Sequence, residues 1–146
     1  VSLYTSEVRG TFYHRIWQRA LAIEGRRWYE VTEQHLGPAG VIALVPSPQL
    51  LLTPRQLMAW PVLPEQPEHA GAVQLPGWVP TTRRLEAAYA SILRADGPAL
   101  MRGHVGDEAV RRRLRLAEQH VNADELLTTD ADLVLQVAIF GQVVFT

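Results

Sequence analysis

Asp130-Ala131-Asp132-Leu133-Val134-Leu135-Gln136-Val137-Ala138-Ile139-Phe140-Gly141 is the stretch whose reading decides the fold. Leu133, Leu135, Val137 and Ile139 alternate as on one face of a strand, and Val134, Ala138 and Phe140 make the opposite face nearly as apolar. Strand side chains point to the two faces in turn, so a segment apolar on both is covered on both sides. The pattern predicts a buried strand over 133–145, with Gly141 at a bulge or turn. On that reading the chain is α+β: one compact domain, 1–146, with a small β-sheet covered by two or three helices.

The segments just before it carry helical spacing. Val110, Leu114, Ala117 and Val121 form a stripe over 107–121, with Asp107 and Glu108 at its electropositive N-terminal end. Leu85, Ala88, Tyr89 and Ile92 form another over 82–95, closed by Gly97-Pro98. Nine of the ten prolines lie in 38–80, which predicts short elements joined by turns. Val41–Val45 and Gln49–Leu52 read as strands, and Ala72–Leu75 as a third. Pro61 to Gly71 reads as a loop. Thr53-Pro54 is a helix start, Thr as N-cap and Pro in the first turn, for a short helix to Trp60. In the first zone Phe12, Ile16, Ala20 and Ile23 predict a helix over 12–24, with Thr11 as N-cap and Gly25 as C-cap. A hairpin turning at Glu24-Gly25 is the competing reading of 12–34, since Trp28, Tyr29, Val31 and Thr32 suit strands.

All 14 basic residues are arginine, and there is no lysine. A GC-rich, bacterial genome accounts for that bias. Eight of the arginines lie between Arg83 and Arg115, whereas the residues after Arg115 carry Glu118, Asp124, Glu125, Asp130 and Asp132 and no base. The net charge of −1 excludes a uniformly basic nucleic-acid binder, so any attraction must come from this asymmetry. Hydrophobic residues at 47% and charged residues at 20% place the chain among folded globular proteins. There is no Cys, hence no disulfide, no thiol nucleophile and no thiolate metal site. No apolar run reaches membrane-spanning length, and no basic-then-apolar leader opens the chain. A cytoplasmic protein without membrane contact is expected.

Three groups of residues are candidates for binding. With the stripe of the 107–121 helix facing inward, Arg111, Arg112 and Arg115 face outward, with Arg113 on the flank. Such a row suits phosphates or carboxylates. The competing account is a solvated face with i,i+4 pairs Asp107–Arg111 and Glu108–Arg112 and an i,i+3 pair Arg115–Glu118. Arg83 and Arg84 sit in the first turn of the preceding predicted helix, where a cation is unfavourable unless something anionic lies near. Arg102 falls between the two helices. Arg26, Arg27, Trp28 and Tyr29 combine cations with aromatic faces on which bases could stack, although aromatic residues in a small domain more often build a core or a subunit interface.

Catalytic and metal patterns are not found. His14, His35, His69, His104 and His120 are scattered, and His120 with Asp124 supplies only two of the three or four ligands a metal needs. Asp130 and Asp132 match the start of a calcium loop, without its glycine and closing glutamate. No serine lies in a nucleophile elbow, and there is no glycine-rich phosphate loop. No cofactor and no metal are expected. Val41–Val45, then Gln49–Leu52, then Leu75-Pro76-Gly77 before a helix with Glu86 and Arg94 separated by seven residues, together resemble a Nudix hydrolase over 40–96. The resemblance implies an α/β/α sandwich and metal-dependent cleavage of nucleoside diphosphate derivatives. Ala95 and Asp96 stand where that family carries its magnesium-holding acidic pair.

These readings lead to a non-enzymatic binding or regulatory module. It is expected to meet a protein partner, a second copy of itself, or the phosphate backbone of nucleic acid through its arginine- and aromatic-rich surfaces. A small enzyme whose site converges only in three dimensions, and an oligomeric structural or assembly protein, are the alternatives.

Overall fold

The computed structural model describes residues 6–22, 28–34, 41–47, 53–61, 81–94 and 107–145. The chain divides into two compact units. One comprises Val1–Glu24 with Thr81–Thr146, and the other Gly25–Pro80.

The first unit is helical. Its elements are α1 (Ser6–Leu21), α3 (Thr82–Leu93), α4 (Asp107–His120), a 3-10 turn (Ala123–Glu125) and α5 (Thr128–Phe140). This corrects the α+β expectation. The stretch read as a buried strand is α5, and the architecture is mostly helical rather than a sheet covered by helices. The alternation misled because α5 is buried nearly all round. Ala131, Leu133, Val134, Leu135, Val137 and Ile139 are buried, and so are Asp130 and Gln136. A run apolar on every side satisfies a period of two as well as 3.6, so periodicity cannot choose between them. The ends do choose. Asp130 stands in the first turn and Gly141 follows the last residue in the left-handed conformation, φ 77, which is the polarity of a helix.

Two helices of this unit pack on α5. α1 and α3 both pack on it and on each other, while α1 and α4 also contact the 3-10 turn. α1 begins six residues before the expected start and buries Phe12, Tyr13, Ile16, Trp17 and Ala20. Thr11 is not its cap, because its hydroxyl donates to Glu7 O at 3.1 Å within the helix. α3 buries the predicted stripe of Leu85, Ala88, Tyr89 and Ile92, and is capped by Thr81, whose side chain accepts from Arg84 N–H. Phe12, Tyr13 and Tyr89 meet edge to face, with centroids 5.1 to 5.8 Å apart. Each large side chain so buried gains roughly 1.5–3 kcal/mol from removal of apolar area from water.

α4 buries Val110, Leu114 and Ala117, but not Val121. Val121 lies past the helix end, half-buried, with φ 50. Asn122 N–H reaches back to Ala117 O at 2.9 Å and Val121 N–H to Glu118 O at 3.2 Å. This is the hydrogen-bond pattern of a left-handed helix stop, with valine where glycine is usual.

In the second unit β1 (Tyr29–Gln34) pairs antiparallel with β2 (Val41–Pro46), in the register Tyr29 to Pro46 and Gln34 to Val41. The helical reading of the first zone therefore holds for α1, and the competing hairpin turning at Glu24-Gly25 is not formed: Tyr29–Gln34 is a strand, but its partner is Val41–Pro46 and not the segment before Gly25. α2 (Pro54–Ala59) starts as expected. Thr53 Oγ1 accepts from Gln56 N–H at 3.1 Å and Gln56 Oε1 accepts from Thr53 N–H at 3.0 Å, a reciprocal cap. Trp28, Tyr29, Leu44 and Trp60 are buried. The expected strands at 49–52 and 72–75 and the loop at 61–71 lie, apart from Pro61, outside the described residues. Among the described residues no α/β/α sandwich of the Nudix kind is formed.

Candidate interaction face

The arginines of α4 separate into two that serve the fold and two that face solvent. Three successive contacts fix how α4 lies on α3. Arg111 reaches Ile92 O and Arg94 O, Tyr89 OH donates to Leu114 O, and Glu86 acts electrostatically on Glu118. Steps forward on α4 match steps backward on α3, so the helices run antiparallel.

Arg111 is half-buried, and its Nε and NH2 donate to Ile92 O and Arg94 O at 3.0 Å each. These carbonyls end α3, where helix carbonyls lack intrahelical partners and the dipole is negative. Arg111 is therefore a cap on α3 rather than part of an open row. Arg113 grips Asp130 through two parallel bonds, Nε to Oδ2 at 2.7 Å and NH2 to Oδ1 at 2.9 Å. The bond to Asp130 pushes the guanidinium above its ordinary pKa, against the opposing effect of burial. Asp130 Oδ2 also accepts from Leu127 N–H at 2.9 Å and so holds the first turn of α5.

Arg112 and Arg115 are exposed. Among the described residues none of the expected pairs, Asp107–Arg111, Glu108–Arg112 or Arg115–Glu118, comes within salt-bridge distance. Glu108, Arg112, Arg115, Leu116 and Gln119 are all exposed and lie at helical spacings of three and four, hence on one face. Leu116 is 39% exposed. Leu127 is 51% exposed, and the bonds that Arg113 and Leu127 N–H share on Asp130 Oδ2 bring its backbone beside α4. The face thus combines two cations with exposed leucine.

The remaining candidates fall elsewhere. Arg83 and Arg84 are exposed in the first turn of α3. Arg102, Arg26 and Arg27 lie outside the described residues. Trp28 and Tyr29 are 6% and 2% exposed. Their rings meet at 4.7 Å, and Trp28 meets Trp60 at 5.6 Å, so the aromatic pair is core, with no open face on which a base could stack.

A second electrostatic feature lies on the other flank of α4. Burial raises the Glu118 carboxyl above the usual carboxylate range, and Glu86 raises it further. Burial, then Glu118, likewise push the phenols of Tyr13 and Tyr89 upward. His120 does not pair with Asp124. Its Nδ1 lies 2.8 Å from Glu125 Oε1, while Asp124 accepts from Arg15 at 3.3 Å. Among the described residues no three His, Asp or Glu side chains gather as a metal site would require, and no described helix is long and apolar enough to cross a membrane.

Sequence reasoning did not find the internal roles of Arg111 and Arg113. Asp130 offered a signal, since an acid just ahead of an apolar run marks a helix start. The partner of Arg111 gave none, because the carbonyls at the end of α3 are invisible in a side-chain pattern. Comparison with known protein families, with curated proteins and with solved structures finds no match for this chain.

Proposed function

We propose that the helical unit is a non-enzymatic protein-binding module whose contact face is the outer side of α4. The observation that carries this reading is the pair Arg112 and Arg115, exposed and not engaged by the acids of their own helix, beside the exposed Leu116. Arginine is enriched where binding energy concentrates, because its planar fork bonds carboxylates at two points and its stem covers apolar surface. Arg111 and Arg113 support the reading indirectly. By fixing α4 to α3 and to α5 they hold the outer face rigid, which lowers the ordering cost of association. The partner that fits is a protein surface with carboxylates around an apolar side chain. A phosphate-tracking surface fits less well, since two of the four arginines are turned inward, Glu108 shares the face, and leucine gains nothing against phosphate.

The test is site-specific photo-crosslinking in cells that express the chain. A benzophenone side chain at Gln119 should yield a discrete protein adduct, which Arg112→Glu with Arg115→Glu should remove. The same probe at His14, exposed on α1, should not yield it. Equal adducts from both positions, or an adduct indifferent to the arginine changes, would refute the reading. Salt-dependent binding of a fluorescent oligonucleotide, lost in the same variant, would transfer the face to nucleic acid.

A further inference from the structure

The segment after α5 turns back on the helix it has left. Gly141 closes α5 with φ 77, and its N–H donates to Val137 O at 2.9 Å. Beyond it Val143 is buried, and Val144 and Phe145 are half-buried. Gln136, only 1% exposed, holds this return. Its Oε1 accepts from Val144 N–H at 2.9 Å and from Phe145 N–H at 2.8 Å. Its Nε2 donates to Phe145 O and to Asp132 Oδ2, both at 2.9 Å. The amide has two donor hydrogens and one oxygen with two lone pairs, and all are used. The Phe145 ring meets Phe140 with centroids 5.8 Å apart.

Two features of this return bear on whether the same contacts can form between molecules. Gln136 bonds only backbone atoms of the return segment, so it recognises an extended chain, and an identical segment from another molecule presents the same atoms. The hinge is a single glycine, and a Cβ at Gly141 would meet nothing within 4 Å. The left-handed backbone, not lack of space, is what requires glycine there. In the right-handed conformation the same residue would continue α5 and carry 142–145 away from its own Gln136.

We propose that the Gln136 site exchanges its occupant with a second copy of this chain. When Gly141 straightens, Val143–Phe145 of each copy enters the Gln136 site of the other and forms a swapped dimer. Exchange of an identical element is a low-cost route to a dimer because no new contact has to be created. The new contacts are the old ones made between molecules.

Sedimentation velocity over a concentration series tests this on the whole chain. Gly141→Ala penalises the left-handed hinge and leaves the straight one untouched. It should raise the dimerisation constant roughly 5–30-fold for each of the two straightened hinges, the factor that corresponds to an L residue in that region. Adding Gln136→Leu should abolish the gain, and Arg112→Glu with Arg115→Glu should leave it. A constant unchanged by Gly141→Ala, or a gain that survives Gln136→Leu, overturns the proposal. A gain lost with the arginines also overturns it and moves the contact to α4. Hydrogen exchange on the unaltered chain decides even if Gly141→Ala does not fold. The Val144 and Phe145 amides should exchange through a local opening that leaves Val134 and Leu135 of α5 protected. Protection equal to that of α5 would mean that the segment does not detach.

Discussion

Arg113→Met and Asp130→Asn break the same ion pair from opposite ends, and the arginine change should cost more. The asymmetry follows from exposure. The Arg113 side chain is 34% exposed and that of Asp130 only 1%. Removal of the arginine leaves a carboxylate buried with one remaining hydrogen bond, from Leu127 N–H. Orphaning a buried charge costs about 3–5 kcal/mol. In Asp130→Asn the guanidinium can turn to water, and the amide keeps an oxygen for Leu127 N–H. What is lost is the charge assistance of a hydrogen-bonded pair, about 1.5–3 kcal/mol. The difference of about 1.5–2 kcal/mol corresponds to roughly 6–16 °C in melting temperature for a cooperative unit of 60–100 residues. Thermal melts followed by circular dichroism at 222 nm report the helices directly. A combined Arg113→Met, Asp130→Asn variant should recover part of the loss, because neither charge is then stranded. The reasoning fails if Asp130→Asn melts as low as Arg113→Met, or if both melt with the parent.

Three further outcomes are expected. The folded state holds the Glu118 proton more tightly than the unfolded chain, because burial and then Glu86 raise its pKa; stability from this group is therefore full below the ordinary glutamate value of about 4.3 and is lost as pH rises towards the raised one. Glu118→Gln should raise the melting temperature at pH 7, by the few tenths of a kcal/mol of a like-charge pair or more, and a gain that persists at pH 4 would contradict this. Val121→Gly should stabilise by up to about 1 kcal/mol in urea titrations, since the left-handed backbone costs a valine about 1–2 kcal/mol and glycine returns part of that as chain entropy; a destabilised variant would show that the half-buried valine side chain matters more. Leu114→Ala, at a position with no exposure, should cost about 2–5 kcal/mol in the same titration, and an unchanged midpoint would contradict the burial of the α4 stripe.

Much of the local structure was legible in the residues. The stripe Leu85, Ala88, Tyr89, Ile92 and the cap Thr53-Pro54 are set by spacing and by backbone chemistry, which act over a few residues and leave their trace in the sequence. Of the outward row that the same spacing predicts, Arg111, Arg112 and Arg115, the last two are exposed and Arg111 is half-buried. Tertiary structure decided the rest. Whether 128–140 is strand or helix depended on what covers it, because burial on all sides erases the periodic signal that tells the two apart. Which arginines are open depended on partners 17 or more residues away, namely Asp130 for Arg113 and the end of α3 for Arg111. Gln136 reads in the sequence as a polar interruption of an apolar run. Only the return of the chain supplies the backbone atoms that make a buried amide favourable there, because a polar group leaves water at little cost only when every one of its hydrogen bonds is replaced.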